Sequence, residues 1–286
     1  MPYGRLALTA VIAAVGVFAP AGLARRSGPP LRVAVYYAWY PGWHTHYRPS
    51  LGYYSSDDPA VIRAHIAALR YGNFGGAAYS WWGIGSETDA RFSSFLRASR
   101  RTPLRWAIYY EREGYADPSV GEIRTALRYL ARRYFASGSY LRIGGRPVVF
   151  VYGDANDGCA MAARWKAADT VKAYVVHKVF HGYRACASQP DSWHQYGGAA
   201  TGEDHQRGFS FTIMPGFYGA HEGEPRLPRD LERWRKNVRD MVASREPLQL
   251  VVSFNEWGEG TAVEGAREWR SSSGYGAYLD ALHRIK

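Results

Sequence analysis

Two carboxylates three residues apart, Glu256 and Glu259, stand in the stretch LVVSFNEWGEGTAVEG at residues 250–265, beside an amide, Asn255, and an indole, Trp257. Cleaving a glycosidic bond requires such a pair. One carboxyl group protonates the leaving oxygen while the other acts as base or nucleophile, and their ionisation states must be kept apart. Two neighbouring negative charges raise one pKa by repulsion, and a partly dry, Trp-lined surrounding adds to that. The plainer alternative is that Glu256 or Glu259 satisfies loop N–H groups or pairs with an arginine.

The pair follows an apolar run, Leu250–Phe254, that reads as the end of a buried strand. Similar runs recur along the chain. Strands are expected at 31–37, 75–80, 104–110, 146–152, 173–179, 192–196 (the weakest), 209–214 and 248–254. Several are continuous and rich in Val, Ile and Tyr, as strands covered on both faces tend to be. Amphipathic stretches lie between them at 58–69 (opened by Asp58-Pro59), 89–99, 120–135, 229–244 and 274–285. Eight strands with helices between most of them predict an α/β protein, a single (β/α)8 barrel over residues 31–286. The alternative, an open doubly wound sheet, more often carries a Gly-rich turn after its first strand. Here that strand runs into YYAWYP.

In such a barrel the loops after the strands form the active-site face. Tyr37, Trp39 and Tyr40 follow the first strand, and Trp81 and Trp82 the second. Tyr110 and Glu111 end the third, Tyr152 the fourth; Tyr183 follows the fifth, Trp193 (with His194 and Tyr196) the sixth, and Tyr218 the seventh. Asn255 and Trp257 join them after the eighth. Flat rings for the apolar faces of pyranoses, with acids and amides for the hydroxyls, suit an oligo- or polysaccharide. Tyr36 and Tyr109 read equally well as core residues.

The first residues are set aside. Arg5, the apolar run 6–18 and small residues near Ala24 form the pattern of an export signal over residues 1–24, or alternatively an uncleaved anchor. The mature chain shows no further run long enough to span a membrane. Export makes Cys159 and Cys186 a candidate disulfide, with two buried thiols as the alternative. The formal net charge of +11 comes from scattered arginines, with no nucleic-acid motif beside them, so no nucleic acid is expected as a partner. His44-Thr45-His46 with His65 is a weak metal signal, outweighed by exposed histidines; no metal or other cofactor is expected. The chain is expected to be a secreted or periplasmic monomer.

At these residues the sequence resembles glycoside hydrolase family 99, the endo-α-mannosidase family, and its family 99-like circle. SFNEWGEGTAVEG is similar to the family's S-F-N-E-W-H-E-G-T-x-I-E-P block, and LGYYSSDDPAVIRAHIAALRYGNFGGAAYSWWG to its G-x-Y-x-S-x-D-P…H…S-W segment. VAVYYAWYPGW, WAIYYEREGY, RPVVFVY and MPGFY resemble further strand ends. The resemblance implies a barrel that cleaves α-mannosidic bonds within a glycan, with retention and without a metal. It implies that Glu256 deprotonates the sugar's own 2-hydroxyl, which displaces the leaving group to give a 1,2-anhydro sugar. Glu259 would be general acid and then base, supported by Asn255 and Trp257, with Tyr40, Trp82 and Glu111 in sugar subsites. Gly258 stands where the family has His, Gly265 where it has Pro, and the loop after the fifth strand departs from the family's pattern. The acid pair therefore carries over better than the sugar's identity. An accessory protein that binds carbohydrate or serves polysaccharide assembly, without turnover, is the alternative from another class.

Overall fold

The computed structural model describes residues 29–154, 156–197 and 201–285; the expected export signal lies outside them. All eight expected strands are present: β1 (Leu31–Tyr36), β2 (Gly76–Trp81), β3 (Arg105–Tyr110), β5 (Arg146–Val151), β6 (Tyr174–Lys178), β7 (Ser192–His194), β9 (Ser210–Ile213) and β10 (Leu248–Val251). Two short strands, β4 (Arg142–Ile143) and β8 (Glu203–Gln206), add antiparallel to β5 and β9. The eight pair in parallel in the order β7-β6-β5-β3-β2-β1-β10-β9. Among the described residues no ladder joins β7 to β9. Across that seam the Thr212 hydroxyl donates to the Gln195 carbonyl at 2.9 Å, so the sheet closes nearly completely.

Helices α1 (Pro59–Tyr71), α2 (Glu87–Ala98), α3 (Glu113–Ala116), α4 (Val120–Leu130), α5 (Cys159–Ala168), α6 (Leu231–Ser244) and α7 (Ala277–Arg284) cover the outside. Their ends follow local chemistry. Asp58 accepts from the Ala60 N–H, with Pro59 in the first turn. Ser119 and Glu122 form a reciprocal capping box at α4, which runs on through a wider π turn, Ala131–Phe135. Among the described residues, the β6–β7 and β7–β9 connections carry no α-helix. The first holds a tight 3₁₀ turn at Tyr183–Ala185 and is tied to the start of α5 by the Cys159–Cys186 disulfide, Cα atoms 5.2 Å apart. No helix among the described residues is long and apolar enough to cross a membrane.

Strand pleating sorts side chains by parity. Val33, Ala78, Ala107, Tyr109, Phe150, Val176 and Leu250 pack together inside the barrel. Their neighbours Tyr36, Tyr79, Trp81, Trp106, Tyr110 and Trp193 join the layer beneath the helices. Tyr36 sits there among Phe95, Trp106 and Phe254 at ring separations of 5.2, 5.1 and 5.7 Å. Aromatic pairs of this kind contribute about 0.5–1.5 kcal/mol each beyond their buried area.

Candidate active site

After β10 the chain leaves the sheet and turns sharply. The Glu256 N–H donates to Ser253 Oγ at 2.7 Å, and Glu256 Oε1 accepts from the N–H groups of Gly258 (2.8 Å) and Glu259 (3.3 Å). Its other oxygen, Oε2, is buried without a hydrogen-bond partner. Gly260 closes the turn at φ +64°, and a Cβ there would lie 2.7 Å from the Tyr218 carbonyl oxygen. Only glycine fits both demands.

The turn is fixed from below. Asn255 grips the end of β1, accepting from the Tyr37 N–H at 2.8 Å and donating to the Tyr37 carbonyl at 2.7 Å. The Tyr40 hydroxyl donates to the Asn255 carbonyl and accepts from the Trp257 N–H. Trp257 Nε1 donates to Tyr54 Oη and to Glu264, whose carboxylate also binds the Tyr54 hydroxyl and His65. His65 is thus engaged in the core by Glu264 and Tyr36, apart from His44, which neighbours His221, and His46, which stacks on Tyr218. Among the described residues His44, His46 and His65 form no three-ligand cluster.

Three carboxyl groups influence one another here. Burial pushes Glu111 up to about 8, against the Ser80 hydroxyl and with help from the charge of Glu259. Burial also holds Glu256 well above the ordinary range; the charges of Glu259 and Glu111 add to this, while the two N–H donors oppose it. Glu259 is raised by burial, opposed by the hydroxyl of Tyr196, which donates to its Oε2 at 2.8 Å, and by the charge of Arg226. Protons are therefore retained in this cluster to higher pH than free carboxylates allow.

Above the acids the aromatic rings form a circuit. Successive centroids lie 4.6 Å (Tyr37–Trp39), 6.1 Å (Trp39–Trp82), 5.1 Å (Trp82–Tyr115), 5.9 Å (Tyr115–Tyr152) and 5.6 Å (Tyr152–Tyr196) apart. A 2.7 Å hydroxyl contact from Tyr196 to Tyr37 completes it. The charges of Glu111 and Glu259 raise the pKa values of Tyr37, Tyr109, Tyr115 and Tyr152, behind the larger effect of burial, which places these rings around the acids. Such a site can stack on a pyranose and exchange protons with it.

The structure gathers Glu256, Glu259, Glu111, Tyr37, Trp39, Trp82 and Tyr152 at this mouth, with Tyr218 beside them, its N–H on the Glu259 carbonyl. Other expected sugar contacts are corrected. Trp81, bonded to Asp89 of α2, and Tyr110, edge-on to Trp165 of α5, have the outward parity and lie under the helices, and Trp193, also facing outward, is bonded to Gln189 beneath the β6–β7 connection. Tyr183 packs on Trp193 and bonds Gln206 in the same layer. Tyr40, Asn255 and Trp257 are buried supports of the turn. Tyr115 is absent from the expected contacts, and Tyr196 is expected at a strand end only as a companion of Trp193. A Tyr four residues beyond Glu111, and a Tyr two residues beyond inward-facing His194, were the available signals.

The family model described as "Glycosyl hydrolase family 99" matches residues 34–169, which include Tyr37, Trp39, Trp82, Glu111 and Tyr152 but not the Glu256–Glu259 turn. The glycoprotein endo-alpha-1,2-mannosidase of Rattus norvegicus is 22% identical over 284 residues, covering 81% of this chain and 59% of its own length. A solved GH99 endo-alpha-mannosidase from Bacteroides thetaiotaomicron, bound to BIS-TRIS-propane, superposes with a TM-score of 0.73 at 21% identity, over 89% of this chain and 94% of that one. This chain is similar to family 99 and family 99-like proteins. A structure titled "Glycoside hydrolase-like protein" also superposes, with a TM-score of 0.61 at 14% identity over 94% and 97% of the two chains. These superpositions bear on the fold, and they place this chain among (β/α)8 barrels. It spans about 59% of the length of the rat protein.

Proposed function

We propose that this family 99-like protein is an exported glycoside hydrolase that cleaves α-mannosidic, or related α-glycosidic, bonds within a glycan and retains the anomeric configuration. The observation that carries this reading is the juxtaposition of Glu256 and Glu259 on one turn, with raised pKa values, beneath a circuit of aromatic rings. Support for hydrolysis of mannosidic glycans also comes from the rat and bacterial relatives, both named as endo-mannosidases. The Cys159–Cys186 disulfide is in keeping with an oxidising compartment.

In this mechanism Glu256, in its ionised form, removes the proton of the sugar's 2-hydroxyl. The two N–H donors on Oε1 favour that form, and a raised pKa makes the carboxylate a stronger base once ionised. The freed O2 attacks C1 as the C1–O bond breaks, and protonated Glu259 gives its proton to the leaving oxygen. A 1,2-anhydro sugar results. Glu259, now ionised, takes a proton from water as that water attacks C1; the epoxide opens, and Glu256 returns its proton to O2. Two displacements at C1 give net retention. The Tyr37–Tyr196–Glu259 hydroxyl chain would steady Glu259 through both steps.

Incubation with a panel of α-mannans and α-glucans, with product size and anomer read by NMR, tests the reading. Retained configuration, with turnover falling by about 10²–10⁴-fold in Glu259→Gln, is the expected result. Inverted products would overturn the mechanism. Glycan binding without turnover by the wild type would make the protein an accessory binder instead.

A further inference from the structure

Arg229 lies just before α6, and its guanidinium is enclosed by three aromatic rings: Trp269 at 3.9 Å, Tyr278 at 4.8 Å and Tyr47 at 4.9 Å from the guanidinium carbon to the ring centroid. Burial pulls its pKa below the usual arginine range. It makes no ion pair among the described residues, and its Nε and Nη1 atoms are buried. A buried cation without a counter-ion is costly, and cation–π contacts offset part of that. What the arrangement achieves is visible in its two hydrogen bonds. Nη2 donates to the carbonyls of Gly260 at 2.8 Å and Ala262 at 2.6 Å, the first residues after the acid pair.

A second grip runs through the rings. Trp269, on which Arg229 rests, stacks on Trp257 with centroids 5.9 Å apart and planes 14° from parallel. Trp257 is the residue between Glu256 and Gly258. The arginine stem in turn packs on Gly216, where a Cβ would lie 2.8 Å from Arg229 Cγ. One side chain thus braces the turn at Gly260 and Ala262 directly, at Trp257 through an indole, and against the Pro215–Gly216 corner.

We propose that Arg229 is a positioning residue for the Glu256–Glu259 turn, holding the two carboxyl groups in register through the 260 and 262 carbonyls and the Trp269–Trp257 stack. Its consequence for turnover rests on the hydrolase reading above; its hold on the turn does not. Arg229→Met keeps the volume and apolar contact but loses the donors; Arg229→Lys keeps a cation and a donor without the planar fork.

The test measures kcat and KM for both variants on the glycan the wild type cleaves best, with thermal midpoints and amide hydrogen exchange over residues 258–263. Arg229→Met is expected to lower kcat about 100-fold, as misplacement near 1 Å can, with KM within about threefold of wild type. Its amides at 260–263 should exchange at least about tenfold faster, and Arg229→Lys should recover about tenfold of the lost kcat. An Arg229→Met enzyme with wild-type kcat would overturn the proposal, as would Met and Lys variants equally impaired with equal loss of thermal midpoint. If the Met variant does not fold, unchanged kcat and exchange in Arg229→Lys overturn it. If the wild type cleaves no glycan, the hydrolase reading fails alone; exchange then decides, and unchanged rates at 260–263 sink the role of Arg229.

Discussion

Replacing Glu111 by Gln should change how stability depends on pH. Glu111 directly follows β3, is buried, and has one carboxyl oxygen without a partner among the described residues. Its pKa stands at about 8 in the folded chain against an ordinary 4.5. The folded state therefore binds this proton more tightly than the unfolded state does. The corresponding stability is fully present below about pH 4.5 and is lost as pH rises through about 8. Linkage over that interval amounts to about 5 kcal/mol, of which about 3.5 kcal/mol falls between pH 5 and pH 8. A glutamine cannot ionise, so this part of the pH dependence should vanish. Urea unfolding of both proteins at pH 5 and pH 8 measures it: the wild type should lose about 3.5 kcal/mol more than Glu111→Gln over that step. Equal losses would show that Glu111 is hydrated and ionises normally, and the dry acid cluster would have to be abandoned.

Tyr196→Phe removes the hydroxyl that favours ionised Glu259, so the pKa of that acid should rise and the alkaline limb of kcat/KM should move up by about one pH unit; an unmoved limb would remove Tyr196 from the mechanism. Cys159→Ser with Cys186→Ser opens a loop whose ends are 27 residues apart. Chain entropy puts the loss at about 3–4 kcal/mol in urea unfolding, while kcat, which depends on groups elsewhere at the barrel mouth, should hold in the folded variant.

Much of this arrangement was legible in the sequence because parallel strands buried on both faces leave continuous apolar runs. The strand ends came within a few residues, and the acid pair fell where the last run stops. Parity was harder. Trp81 and Trp82 are neighbours in sequence, yet one lies under α2 and the other at the mouth, because consecutive strand residues face opposite ways. A catalogue of strand-end aromatics that ignores this alternation mixes trough with core, as it did for Trp81, Tyr110 and Trp193. Helix α5 escaped notice because Gly158 supplies no side-chain cap and its buried residues, Met161, Ala162, Trp165 and Ala168, make a faint stripe among alanines. The Tyr196–Glu259 bond joins residues 63 apart and exists only once the barrel closes. No local pattern announces it.

Gly258 lies against the carboxyl group of Glu256. A methyl group built there would lie 2.9 Å from Glu256 Oε1, so the carboxylate rests in room that any side chain at 258 would claim. Residue 258 and the aim of Glu256 are therefore a single variable. A library that diversifies this position in search of altered sugar preference will retune the base along with the subsite, and its hits will have to be sorted by pH profile before their selectivity can be interpreted.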